Sequence, residues 1–198
     1  MKNIFIFLVI TWLCLPGCTK EKGSERSPDS ASPATPGFIK YTMKQGQHFA
    51  NDNTYKPVDL TELNFAVKFD STAIYKSIVA ENQYDINKLY GFADNNREHQ
   101  QFSARFGWRW SDDALRLFAY VYNNGVVTSR ELGTIAIGAE LTCSIRVAGE
   151  AYIFSVDGKV LRMPRTSTTP TAKGYQLYPY FGGDEAAPHD VTIFIKNL

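Results

Sequence analysis

From Phe38 to the end of the chain, apolar residues recur at every second position, and this period constrains the fold more than any other feature. Leu63, Phe65, Val67 and Phe69 alternate with polar or small neighbours; so do Phe102, Ala104, Phe106, Trp108 and Trp110, and then Leu115, Leu117, Ala119 and Val121. The pattern returns at Leu141–Val147, at Tyr152, Phe154 and Val156, and at Val191, Ile193 and Ile195. Alternation over several residues is the mark of a half-buried strand. Asn123-Asn124-Gly125, Asp157-Gly158 and Gly149-Glu150 separate the runs, and such residues tolerate the positive φ of tight hairpins. Segments 71–78 and 84–89 have room for a turn or two of helix, but neither carries a convincing cap. The fold class predicted is all-β: an antiparallel β-sandwich with little helix, each strand covering one apolar face.

The first 37 residues read differently. Lys2 precedes an apolar run, Ile4 to Leu15, broken only by Thr11, which suits a signal-peptide core and is short for a membrane span. The run ends in Leu15-Pro16-Gly17-Cys18, which resembles a bacterial lipobox; the resemblance implies cleavage before Cys18 and lipid on its thiol. Residues 1–17 are then a lipoprotein signal peptide. Residues 18–37 are the lipidated cysteine and a tether rich in Ser, Pro, Lys and Glu, whose composition cannot form a core. Residues 38–198 are the β-sandwich domain. Thr19 rather than Asp follows Cys18, and Lys20-Glu21 resembles the start of a Bacteroidota surface-export signal. The location implied is the outer membrane or cell surface rather than the inner membrane. With Cys14 and Cys18 gone, Cys143 remains in an alternating run, so no internal disulfide is available and the thiol reads as a small buried hydrophobe.

Charge narrows the function classes. The chain of 198 residues carries 21 Lys and Arg against 20 Asp and Glu. A uniformly basic nucleic-acid surface is therefore not expected. The aromatic content is unusual, with 13 Phe and 11 Tyr, and the alternation divides it. If Phe102, Phe106 and Trp108 face the core, Arg105 and Arg109 face out; if Leu115, Leu117 and Val121 face the core, Arg116, Tyr120 and Tyr122 face out. Segment 175–181 adds Gln176, Tyr178 and Tyr180. Phenol rings stack on sugar faces and arginine pairs with carboxylates, so this face suits an acidic polysaccharide. The bland alternative is that a loop such as 82–100 or 164–174 covers the face and the arginines only stack on tyrosines.

An exported domain with these strand spacings and an Arg/Tyr face resembles the concanavalin-A-like lectin and glucanase superfamily, whose domains are jelly rolls. The ending Tyr175-Gln176-Leu177-Tyr178-Pro179-Tyr180-Phe181-Gly182-Gly183-Asp184, followed by Ala187-Pro188-His189-Asp190 and a last strand, is similar to alginate and glucuronan lyases of that fold. The resemblance implies that Arg105 and Arg109 match an arginine strand that neutralises uronate, and that Tyr178 or Tyr180 matches a late catalytic tyrosine. The family's Gln-x-His is absent; His99 lies in Glu98-His99-Gln100. The Glu-x-Asp-x-x-Glu of glucanases is missing too, so a retaining hydrolase is not expected.

The reading is a lipid-anchored β-sandwich that binds polysaccharide, preferably acidic, through Arg105, Arg109, Arg116, Tyr120 and Tyr122. The alternative is a lyase using Tyr178 or Tyr180 with His99 or His189. A second alternative is a structural or protein-interaction lipoprotein. No cofactor is expected. The Asp184-Glu185 loop reads as a solvated acidic turn, with structural calcium as its alternative. The histidines have no metal-ligand spacing.

Overall fold

Each alternating run is a strand in the computed structural model, which describes residues 37–198. The signal peptide, Cys18 and the tether up to residue 36 lie outside the described residues. The strands are β1 (Ile39–Met43), β2 (Pro57–Leu60), β3 (Glu62–Phe69), β4 (Asn87–Ala93), β5 (Phe102–Ser111), β6 (Ala114–Asn123), β7 (Val126–Ile135), β8 (Glu140–Val147), β9 (Ala151–Val156), β10 (Lys159–Pro164), β11 (Ala172–Leu177) and β12 (Val191–Asn197). They form two six-stranded sheets, β1-β12-β3-β8-β9-β10 and β2-β11-β4-β5-β6-β7, and neighbours within each run antiparallel.

The core lies between the sheets, where the inward rings of both meet. Phe106 of β5 is held edge-on between Phe65 of β3, 5.6 Å away, and Phe154 of β9, 5.2 Å away. Trp108 packs against Phe69 and Tyr75 and is fully buried. Such pairs contribute about 1 kcal/mol each beyond the area they bury. Cys143 is buried as expected, and burial pushes its thiol far above the ordinary range.

The three turn signals hold. Asn124-Gly125 and Asp157-Gly158 take positive φ (50° and 81°, 45° and 82°), matching the right-handed twist of the hairpins β6–β7 and β9–β10. Gly149 (φ 59°) turns β8 into β9. Asp112 and Asp113 do the same between β5 and β6, at 52° and 54°, with no glycine.

Helix is confined, among the described residues, to 3₁₀ turns at Ser71–Ala73 and Ala80–Tyr84. The first is capped after all: Thr72 N donates to the Asp70 carboxylate at 2.9 Å. The helical reading of 84–89 is corrected, because the chain enters β4 at Asn87. So is the reading of 82–100 as a covering loop. Its middle is β4, in the sheet beside β5, and its two ends flank the outer face, with Tyr84 against Arg109 and His99 beside Tyr175.

Candidate functional site

The outer face of the second sheet carries the residues that alternate with the core. On β5 these are Ser103, Arg105, Gly107, Arg109 and Ser111; on β6 they are Arg116, Phe118, Tyr120 and Tyr122. Arg105 pairs in register with Tyr120 on one side and Gly91 on the other. Gly91 is obligatory there, since a β-carbon would lie 2.2 Å from Ala104 O and 2.3 Å from Arg105 Cβ. A bulge between Lys88 and Gly91 sends both Leu89 and Tyr90 into the core and leaves Lys88 on the outer face.

A cleft of about 540 Å³ opens over this part of the sheet, within the ~300–1,000 Å³ usual for ligand sites. Arg105 and Lys88 form its cationic floor. Tyr122, Tyr175 and Tyr180 stand around them, and Phe49 and Tyr55, 64% and 70% exposed, form its rims. The strap between β1 and β2 supplies both rim residues. Main-chain pairing to Phe49 and Lys88 anchors Tyr180, whose ring stacks on His48 at 5.2 Å. No residue lining the cleft is Asp or Glu.

Arg105 is the site's most constrained group. It is 7% exposed, its Nε has no hydrogen-bond partner, and no carboxylate pairs with it among the described residues. Its guanidinium lies over the Tyr120 ring at 5.5 Å. Burial pushes its pKa down to about 10, so it stays charged at neutral pH. Lys88 Nζ donates to Gly182 O at 2.9 Å and sits 5.3 Å from the same ring. Burial, aided by Arg105, lowers its pKa to about 8. The Asp85 carboxylate partly offsets the charge of Lys88, but no carboxylate acts on Arg105. Leaving that buried guanidinium without a counter-ion is costly, and the missing partner is an anion.

His99 lines the cleft beside Tyr175, and burial, then Arg105, lowers its pKa, so it is neutral at neutral pH. Of the residues read from sequence, Arg105, Tyr122, His99, Tyr178 and Tyr180 therefore meet in one place, with Tyr120 directly beneath. Tyr178 reaches the wall with its ring packed between Tyr41 and Tyr90. Gln176 is buried and donates to Gly91 O and Leu177 O.

Arg109, Arg116 and His189 do not join them. Arg109 stacks on Phe118 and Tyr84 and donates to Tyr84 O at 2.7 Å, under the start of the 84–86 segment. Arg116 pairs with Asp112 and Glu131 at 3.2 and 3.0 Å. His189 Nε2 sits 2.9 Å from Thr72 O, beside the first 3₁₀ turn. The covering-loop alternative thus describes the Arg109 end of the face, and the open-face reading describes the Arg105 end. Lys88, Phe49, Tyr55 and Tyr175 are cleft residues that the alternation did not single out. In the loop thought open to calcium, the Glu185 carboxylate accepts from Ile78 N, Val79 N and Asn82, and among the described residues no three His, Cys, Asp or Glu cluster as a metal site.

No family model matches the chain, and no curated protein matches it in sequence. Solved structures do match. Alginate lyase AlyC3 superposes with a TM-score of 0.57 at 12% identity, over 81% of this chain and 74% of that one. A glycoside hydrolase family 16 endo-glucanase from Bacteroides ovatus gives 0.53 at 11%, over 81% and 80%. Alginate lyase vAL-1 from Chlorella virus gives 0.51 at 10%, over 81% and 82%. The fold is a concanavalin-A-like jelly roll. Lyases and hydrolases share this jelly roll, so the fold leaves the chemistry to the site.

Proposed function

We propose that the cleft binds an acidic polysaccharide and cleaves it by β-elimination at a uronate. The observation that carries this reading is Arg105, a buried guanidinium with an unpartnered Nε on the floor of a carboxylate-free cleft. A uronate carboxylate supplies the missing counter-ion in a geometry that guanidinium favours. The same contact stabilises the charge that develops when C5 loses its proton, and protonated Lys88 reinforces it. Neutral His99 accepts the C5 proton, and a tyrosine hydroxyl at the wall, Tyr122 or Tyr180, gives a proton to the departing O4. The C5–H and C4–O4 bonds break, the C4=C5 bond and the O4–H bond form, and no water is consumed. A retaining or inverting hydrolase needs two carboxylates across the scissile bond. The cleft wall has none, which argues against that chemistry.

The similar structures support a polysaccharide ligand at the level of fold, and one of them is alginate lyase AlyC3 with dimannuronate bound. We further propose that the chain is a lipoprotein held through Cys18 at the outer membrane or cell surface, as its N-terminal sequence implies.

The test is to incubate the protein with polymannuronate, polyguluronate, polyglucuronate and a neutral glucan. The expected result is the ultraviolet absorbance of an unsaturated uronate from at least one acidic polymer and none from the glucan. Retention of an acidic polymer without cleavage would leave a carbohydrate-binding protein. Neither retention nor cleavage would leave the structural or protein-interaction reading.

A further inference from the structure

Among the cleft residues, His99 has its ring held by a hydrogen-bond arrangement with no slack. The Tyr175 hydroxyl donates to Glu98 Oε2 at 3.0 Å. It accepts the backbone N–H of His99 at 3.1 Å and lies 3.0 Å from His99 Nδ1. A phenol has one proton and two lone pairs. Its proton is committed to the Glu98 carboxylate, a stronger acceptor than a neutral imidazole. The contact with Nδ1 can therefore form only if Nδ1 carries the proton. In neutral imidazole the other nitrogen is then a bare lone pair. Nε2 has no hydrogen-bond partner among the described residues, on a ring that lines the cleft.

We infer that Glu98 and Tyr175 are positioning residues that lock His99 as the Nδ1–H tautomer, so that Nε2 meets the polysaccharide as a proton acceptor. The use of that acceptor rests on the lyase reading; the tautomer does not. The arrangement is assembled from two distant parts of the chain. Glu98 and His99 adjoin in the loop before β5, and Tyr175 comes from β11, which the sheet pairs with β4. The charged groups acting on the ring are Arg105, which disfavours imidazolium, and Glu98, which favours it; burial and Arg105 prevail. The imidazole is therefore neutral at neutral pH, and its tautomer decides whether the cleft meets a donor or an acceptor.

The experiment is long-range proton–nitrogen NMR of the histidine rings in the ¹⁵N-labelled full chain, with His99 assigned by its loss in His99→Asn. Wild type is expected to show Nδ1 protonated and Nε2 bare. Glu98→Ala frees the Tyr175 proton to turn toward Nδ1, and His99 should change to the Nε2–H tautomer. Tyr175→Phe removes the acceptor and should do the same, which keeps the test valid if one variant folds poorly. Wild-type His99 as Nε2–H, or a tautomer unchanged in both variants, overturns the lock. On a uronate polymer, Glu98→Ala should lower kcat about 100-fold, the scale of a lost proton acceptor, with little change in KM. A tautomer that moves while kcat does not overturns the role of His99 as acceptor. Absence of cleavage by wild type, with the tautomer as stated, sinks the lyase reading alone.

Discussion

Arg105, Arg109 and Arg116 sit in the same alternating register, yet only Arg105 is left without a partner. Period-two patterning puts a residue on a face but says nothing of its neighbours. Arg109 is answered by a backbone carbonyl of the 84–86 segment, and Arg116 by Asp112 and Glu131. These partners come from turns and from a strand without clean alternation, so sequence could not tell the three apart. Their substitutions should. A buried unpaired cation replaced by an apolar side chain of similar volume is neutral or stabilising. Arg105→Met is therefore expected to hold or raise the thermal midpoint while abolishing retention of acidic polymer. Arg109→Met loses hydrogen bonds to Tyr84 O and Ser111 Oγ and two stacked rings, so it should cost about 1–2 kcal/mol with polymer affinity unchanged. Calorimetry beside affinity electrophoresis reads both, and a destabilised Arg105→Met would make that guanidinium a structural group.

Lys88 adds a pH signature at the same scale. Its pKa is lowered from 10.5 to about 8, so it is a cation below about pH 8 and an amine above. Turnover that needs it charged should fall as pH rises through about 8, well before Arg105 deprotonates near 10. On the acid side turnover should fall as His99 gains a proton, below the ordinary histidine value because its pKa is lowered. Stability runs the other way. The unfolded chain holds the Lys88 proton more tightly, so stability should rise with pH between about 8 and 10.5. Lys88→Met is expected to erase both the alkaline fall in turnover and this rise. A wild-type pH–rate profile with no break near 8 would remove Lys88 from the chemistry.

At the scale of elements, the strands that sequence made plain are the ones that build the core. β3, β5, β6, β8, β9 and β12 alternate cleanly, since one face of each meets the other sheet. The elements that shape the cleft were hidden. β2 has four residues, β4 has its period broken by the Leu89–Tyr90 bulge, and β11 holds Gly174 and a buried Gln176. A short or bulged strand shows no sustained period, and here those strands present Lys88 and Tyr175.

The 164–172 connection was also opaque. Asn123 and Asn95 hold it by accepting hydrogen bonds from Thr166 and Thr168, and a buried ion pair lies at its centre. Arg165 donates to Asp94 at 2.8 Å with both side chains at most 2% exposed, and also to Ser167, Thr169 and Thr171. Burial alone would raise the Asp94 pKa, but Arg165, the Tyr152 hydroxyl and Asn95 N outweigh it and hold it below the ordinary value. The resulting stability is present above the unfolded carboxylate pKa and is lost as pH falls through the folded one. Asp94→Ala, which strands a buried guanidinium, should cost about 3–5 kcal/mol in denaturant unfolding. An Arg165→Met/Asp94→Leu double variant should recover most of that loss. The strap carrying Tyr55 makes the opposite case: its ring is exposed and pairs with Tyr175 at 5.6 Å. Tyr55→Ala should leave stability intact and raise KM for long polymers about fivefold, the value of one stacked ring.

For the whole molecule, near-zero net charge and a local cationic cleft are compatible because the charges are sorted. Asp112 and Glu131 are paired with Arg116, Glu98 and Glu185 accept hydrogen bonds outside the cleft lining, Asp85 accepts from Asp184 N and partly offsets Lys88, and Arg105 is left for a ligand. Polymer capture by two cations depends on proximity rather than on a long-range field, which is screened within about 8 Å at physiological salt. A lipid anchor, as proposed above, would supply that proximity by holding the cleft against polymer at the envelope. The two proposals then make a joint prediction. Cys18→Ser should leave the chain uncleaved or soluble, with the cleft's kcat and KM on dissolved polymer unchanged, because the jelly roll of residues 37–198 carries the site by itself. Depletion of polymer by whole cells should fall in proportion to the protein lost from the membrane fraction. A Cys18→Ser chain that is cleaved and still sediments with membranes would show that something other than this cysteine holds it there.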